Sequence, residues 1–176
     1  MEIEADRIRA IASHTGLIVL DRTVDTLLAH AHAMDAMYDV PGKLVGVHFF
    51  NPVAQLPLVE IVRGEASSDE SVQKAIAFTR RIDKLPLPCK SAPGFLVNRV
   101  LVPYFAEAFF ALQEGVSMET IDEAAMRFGM PVGPVELADV VGLDVCKHVG
   151  EIVSNALERP KPDSARIDKL IAAGKL

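Results

Sequence analysis

The 176-residue chain is half apolar and carries a formal net charge of −6, so it can build a sizeable core, as one ordinary domain or two small ones. That acidic balance, without a basic cluster, argues against nucleic acid as partner, and no apolar run approaches the roughly 20 residues of a membrane-spanning helix. Met1-Glu2-Ile3-Glu4 is an acidic start, unlike a secretory or transit peptide, and the two cysteines, Cys89 and Cys146, suit a reducing compartment such as the cytoplasm rather than a disulfide framework.

Residues 2–12 read as a short helix and Gly16–Leu20 as a strand. From Asp21 to Met37 the pattern is helical, with Val24, Leu27, Leu28, Ala31 and Met34 on one side. His30 and His32 lie two apart, point in different directions on a helix, and are not expected to chelate a metal together. Pro41-Gly42 then turns the chain into its central stretch, Lys43 to Gly64.

That stretch is an apolar run, a break at Asn51-Pro52, and a second apolar run. Leu44–Phe50 holds one ionisable side chain, His48, and Leu56–Val62 holds one, Glu60. Both runs have strand length and β-branched or aromatic residues. Neither charge would stay in a core unpaired, so His48 and Glu60 are predicted to face each other across adjacent segments. A carboxylate beside an imidazole fixes its tautomer, which is the makings of a general base. The plainer reading is a satisfied core histidine with no chemistry.

Ser68 or Asp69 can cap a helix from about Glu70 to Lys84, with Val72, Ala75, Ile76, Thr79 and Ile82 on one face. Leu85–Lys90 is extended, and its two prolines place it at a sheet edge or outside the ladder. The first half therefore alternates strand, helix and strand, an α/β layer. After Ser91 the residues show no strand. Phe95–Glu114 is a long helical pattern that Pro103 should kink, or mark as a first turn. Ser117 caps a helix to about Phe128, Pro134 opens one to about Val141, a long helix begins near Asp144, and Ser164–Ala173 reads as a short amphipathic helix. A domain boundary is placed near Ser91. The apolar content of Phe95–Gln113 and Val135–Leu157 exceeds what a few helices hide alone, which suggests a dimer interface.

Several blocks in order carry a family resemblance: HFFNP, PLVEIVRG, CKSAPGFLVNRVLVPYFAEA, IDEAAMRFGMPVGPVELADVVGLDV and LIAAGKL. From about Val45 to Leu176 the chain resembles the 3-hydroxyacyl-CoA dehydrogenases of fatty acid β-oxidation, which occur alone or within multifunctional proteins. The resemblance implies residues 1–91 as the C-terminal part of an NAD-binding Rossmann domain. It implies 92–176 as an all-α substrate-binding and dimerisation domain like the C-terminal domain of 6-phosphogluconate dehydrogenase. It further implies His48 as catalytic base, Glu60 as the carboxylate that orients it, Asn51 as a contact to NAD, and Asn98 as an amide touching the acyl-CoA substrate. Read without the family, Asn51 is a turn residue before proline and Asn98 a helix-capping residue.

There are departures. The G-x-G-x-x-G phosphate loop and its later acidic residue are missing. Ala12-Ser13-His14-Thr15 resembles the family's S-N-T-S turn with His14 in place of asparagine, and Gly16 replaces a serine. The basic, glycine-rich segment that follows GKL in the family is missing. Two readings result. One is NAD-dependent oxidation of 3-hydroxyacyl-CoA to 3-oxoacyl-CoA. The other is a truncated, inactive acyl-CoA-binding and dimerisation module.

Overall fold

The computed structural model describes residues 42–165, together with 168 and 172. The helices expected at 2–12 and 21–37, the strand at Gly16–Leu20, and His30 and His32 lie outside the described residues, as does most of the helix expected at Ser164–Ala173. The backbone divides into two compact units after Leu96.

In the first unit, strand β1 (Gly46–Phe49) runs antiparallel to β2 (Leu58–Arg63), and β2 runs parallel to β3 (Leu85–Lys90), in the spatial order β1-β2-β3. Helix α1 (Asp69–Arg81) makes the crossover between the two parallel strands. Side chains alternate across a strand, and this alternation sorts β1 and β2 onto two faces. Val47, Val59 and Ile61 join Val45 against Val72, Ala75 and Ile76 of α1 in a closed apolar core. Each fully buried side chain of this size contributes on the order of 1.5–3 kcal/mol. The opposite face therefore receives His48 and Glu60.

The apolar runs at Leu44–Phe50 and Leu56–Val62 are longer than the strands they contain, because Asn51–Pro57 forms an exposed turn. Within it Gln55 and Leu56 donate backbone N–H bonds to the Pro52 carbonyl. Lys84 ties this turn down: its Nζ donates to the carbonyls of Val53 (2.5 Å) and Leu56 (2.9 Å). Ser68 caps α1 and accepts from Ser71 N–H. The helix stops at Arg81 rather than at the expected Lys84. Asp83 adopts a left-handed conformation (φ 56°) that swings the chain into β3. In β3, Leu85 N–H bonds the Pro57 carbonyl. Pro86 and Pro88 therefore turn their nitrogens away from β2, where a missing donor costs no ladder bond. Among the described strands β3 is an edge.

The second unit is helical: α2 (Val97–Gln113), α3 (Met118–Phe128), α4 (Pro134–Val141) and α5 (Leu143–Ala156). Helix α2 runs on through Pro103, which is neither its first turn nor its end. Ser117 caps α3 by accepting from Thr120 N–H, and Gly129 closes it in the left-handed region (φ 116°). Helix α4 has glycine, Gly133, at its N-cap, so it lacks a capping side chain of its own. Asp122 of α3 takes over: its two carboxylate oxygens accept from Val135 N–H (2.8 Å) and Glu136 N–H (3.0 Å). A Cβ at Gly133 would lie 2.2 Å from the Asp122 carboxyl carbon, so the close approach requires glycine. Asp122→Ala should cost about 0.5–2 kcal/mol, the range for a lost helix cap. Urea unfolding of the variant checks this, and an unchanged midpoint would dismiss the cap.

Candidate active site

The antiparallel register places His48 directly opposite Glu60. Their side chains meet with His48 Nδ1 2.8 Å from Glu60 Oε2. The Glu60 side chain is fully buried, at 0% exposure, while His48 retains 14%. The other carboxylate oxygen, Oε1, accepts the backbone N–H of Leu96 at 2.9 Å. A buried carboxylate survives only with such partners. An ionised carboxylate can only accept, so the hydrogen between the pair resides on Nδ1. That leaves Nε2 as the bare, basic nitrogen of the ring. The predicted facing of His48 and Glu60 is thus present as a direct contact.

Two aromatic rings frame the imidazole edge-on. Phe50 lies 4.8 Å from it between ring centroids and Phe95 5.5 Å. Phe95 belongs to the first unit and is only 3% exposed. It packs with Val62 and Cys89 on the same face of the sheet. Its backbone is left-handed (φ 45°), as is that of Gly94 before it (φ 76°). For a side chain with a Cβ this conformation costs about 1–2 kcal/mol, so the surrounding packing must hold it there. The sequence marks a domain boundary near Ser91 and carries no signal for the ring of Phe95 or the amide of Leu96 as site groups. The Pro-Gly pair signals a turn, but nothing in the wording says that the turn points back at β2.

Cys89 sits beside this cluster. Burial, and then the charge of Glu60, push its thiol up to about 12. Cys146 of α5 is likewise pushed up to about 11, by burial and then by Asp144. From the rise from 9.0 to about 12, Cys89 should be alkylated by iodoacetamide at pH 8 about a thousandfold more slowly than an unhindered thiol. Mass spectrometry of the Cys89 peptide reads this rate, and labelling as fast as free cysteine would contradict the raised thiol.

Asn51 lies two residues beyond the end of β1 and is exposed in the turn anchored by Lys84. Asn98 is the second residue of α2 and half-buried. The helical unit also holds a cavity of about 140 Å³, lined among others by Val102, Phe105 and Phe109 of α2 and by Cys146 and Gly150 of α5; Asn98 is not part of its wall. Among the described residues no group of three His, Cys, Asp or Glu side chains could hold a metal ion, and no helix is long and apolar enough to cross a membrane.

Two family models match the chain in succession. Residues 23–92 match the NAD binding domain of 3-hydroxyacyl-CoA dehydrogenase, and residues 94–176 match the C-terminal domain of the same enzyme family. The chain is 41% identical over 154 residues to a fatty acid oxidation complex subunit alpha of Psychrobacter cryohalolentis, covering 87% of this chain and 20% of that protein. It is 40% identical over 154 residues to the subunit of the same name from Acinetobacter baylyi, with the same coverage. The chain thus spans about a fifth of the length of these curated relatives. Among solved structures, 3-hydroxybutyryl-CoA dehydrogenase from Escherichia coli superposes with a TM-score of 0.76 at 32% identity, covering 95% of this chain and 41% of that one. The (S)-3-hydroxybutyryl-CoA dehydrogenase of Ralstonia eutropha gives a TM-score of 0.75 at 32% identity, covering 96% and 61%.

Proposed function

The chain belongs to the 3-hydroxyacyl-CoA dehydrogenase family, and from that premise we propose that it carries the proton-transfer half of an NAD-dependent oxidation of 3-hydroxyacyl-CoA to 3-oxoacyl-CoA. The observation that carries this reading is the 2.8 Å contact between His48 Nδ1 and the fully buried Glu60. In oxidation, Nε2 of His48 takes the proton of the 3-hydroxyl as the hydride leaves C3. Glu60 keeps Nδ1–H in place and stabilises the imidazolium that forms. In reduction the imidazolium returns the proton to the 3-oxygen. NAD, when bound, supplies the acceptor for that hydride.

Asn51, three residues beyond His48, is assigned to the cofactor. Asn98 is assigned to the substrate, where its amide can donate to the thioester carbonyl or 3-oxygen. We assign residues 1–91 to the nucleotide-binding domain and 92–176 to the substrate and dimerisation domain. Exposed apolar side chains on α2, α3 and α4, such as Val100, Phe128 and Val140, support a homodimer through the helical unit. A cytoplasmic location agrees with two unpaired cysteines.

The fit to NAD is uneven. The base suits the nicotinamide end, but no G-x-G-x-x-G spacing exists anywhere in the 176 residues. A glycine cradle for the pyrophosphate would come from sequence outside them. A second reading is a module that binds acyl-CoA and dimerises without redox chemistry. Oxidation of NADH by acetoacetyl-CoA tests the first reading, with the chain assayed alone and with a glycine-rich strand–turn–helix joined ahead of it. Saturable turnover in either form supports the enzyme. A folded protein that binds acetoacetyl-CoA but neither binds nor oxidises NADH in either form supports the module.

A further inference from the structure

We propose that Phe95 is a positioning residue for the His48–Glu60 pair, its ring walling the imidazole while its left-handed backbone aims the Leu96 amide at Glu60. Three observations meet at this residue. Its ring stands edge-on to His48 at 5.5 Å and 62°. Its φ of 45° follows the φ of 76° at Gly94, and the next N–H, that of Leu96, reaches Glu60 Oε1 at 2.9 Å. The ring is itself clamped, 3% exposed, against Val62 and Cys89.

A phenylalanine in the left-handed region is uncommon, because its Cβ crowds the following carbonyl oxygen. Glycine would adopt the same turn without strain but would leave the imidazole without its wall. Phenylalanine performs both tasks together, since the burial of its ring offsets the cost of its backbone. With Leu96 N–H on Oε1 and His48 on Oε2, the carboxylate is held from both sides and cannot swing. With Phe50 (4.8 Å) and Phe95 (5.5 Å) both packed edge-on against it, the imidazole is held as well. The pair is then fixed in one geometry and one tautomer before any ligand arrives, which is the condition for an efficient proton transfer.

This inference depends on His48 being the base, yet its test needs no turnover. The 15N resonances of the His48 ring report the tautomer, and hydrogen exchange reports the Leu96 amide. In the 176-residue protein, His48 should show one Nδ1–H tautomer and Leu96 a protected amide. In Phe95→Leu, which keeps an apolar side chain but no ring, the two ring nitrogens should move toward averaged values. Leu96 should then exchange about tenfold faster, the loss expected for one weakened hydrogen bond. In Phe95→Gly, Leu96 should keep its protection while the His48 signature still averages, which separates the backbone task from the ring task. A residue with a merely structural role would lower the melting temperature and leave the tautomer alone. An unchanged His48 signature in folded Phe95→Leu overturns the proposal. Should that variant fail to fold, an unprotected Leu96 amide or mixed tautomers in the parent chain overturns it equally. Intact signatures without enzymatic turnover would count against the reaction and leave the positioning role standing.

Discussion

His48→Gln should reduce the oxidation of NADH by acetoacetyl-CoA by a factor on the order of a hundred or more in kcat, the usual loss on removing a positioned acid–base group. Glutamine fills much the same space and can still donate toward Glu60, so the loss should come with little change in stability. It can neither take up nor return the 3-hydroxyl proton. The KM for acetoacetyl-CoA should move far less than kcat, because the imidazole acts on a proton in flight rather than on the bound thioester. The comparison is made between parent and variant in the form that turns over. Parental activity in the variant would remove His48 from the chemistry and leave it a core histidine.

The second large effect concerns Glu60. Glu60→Ala would strand two donors at a site with 0% exposure, the His48 Nδ1–H and the Leu96 N–H. Each neutral donor left buried without its acceptor costs about 1–3 kcal/mol. Much of the stability of an ordinary small domain would then be gone. Chemical denaturation should show the first unit melting early. Glu60→Gln is the gentler probe. Its amide oxygen can accept one of the two bonds, but its NH₂ group faces the other donor. The pair must then either lose a bond or flip the imidazole tautomer, which puts the hydrogen on the wrong nitrogen. A fall in kcat of about a hundredfold or more is expected, by analogy with other histidines deprived of their orienting carboxylate. A Glu60→Gln enzyme with parental kcat and parental stability would mean that the carboxylate orients nothing.

The pairing of His48 with Glu60 was legible because the composition of the central stretch left few alternatives. Two apolar runs of strand length, each with one titratable group and a proline-bearing break between them, fold back on each other most simply as an antiparallel pair. Positions 48 and 60 then fall opposite one another. Helix starts were legible where a side chain makes the cap, as at Ser68 and Ser117. Helix ends were less so where the backbone decides. The end of α1 at Arg81 depends on a left-handed aspartate, Asp83, and aspartate carries no general instruction to adopt that conformation. Pro103 lies inside its helix rather than in the first turn. A helix of 17 residues packed against α4 and α5 runs on either side of it, so it does not mark a start. Phe95 and Leu96 were invisible as site residues because their role is tertiary: only the fold brings residues 94–96 over β2. The cap that Asp122 gives to α4 is likewise a long-range contact, replacing a local signal that Gly133 lacks.

A double-mutant cycle on kcat, with His48→Gln, Glu60→Gln and the two combined, most directly interrogates how the two residues work. If Glu60 acts only through His48, the combined variant should be no slower than His48→Gln alone, since nothing remains for the carboxylate to orient. Losses that multiply would show the two side chains acting independently, and the account of a carboxylate-held imidazole shuttling the alcohol proton would be wrong.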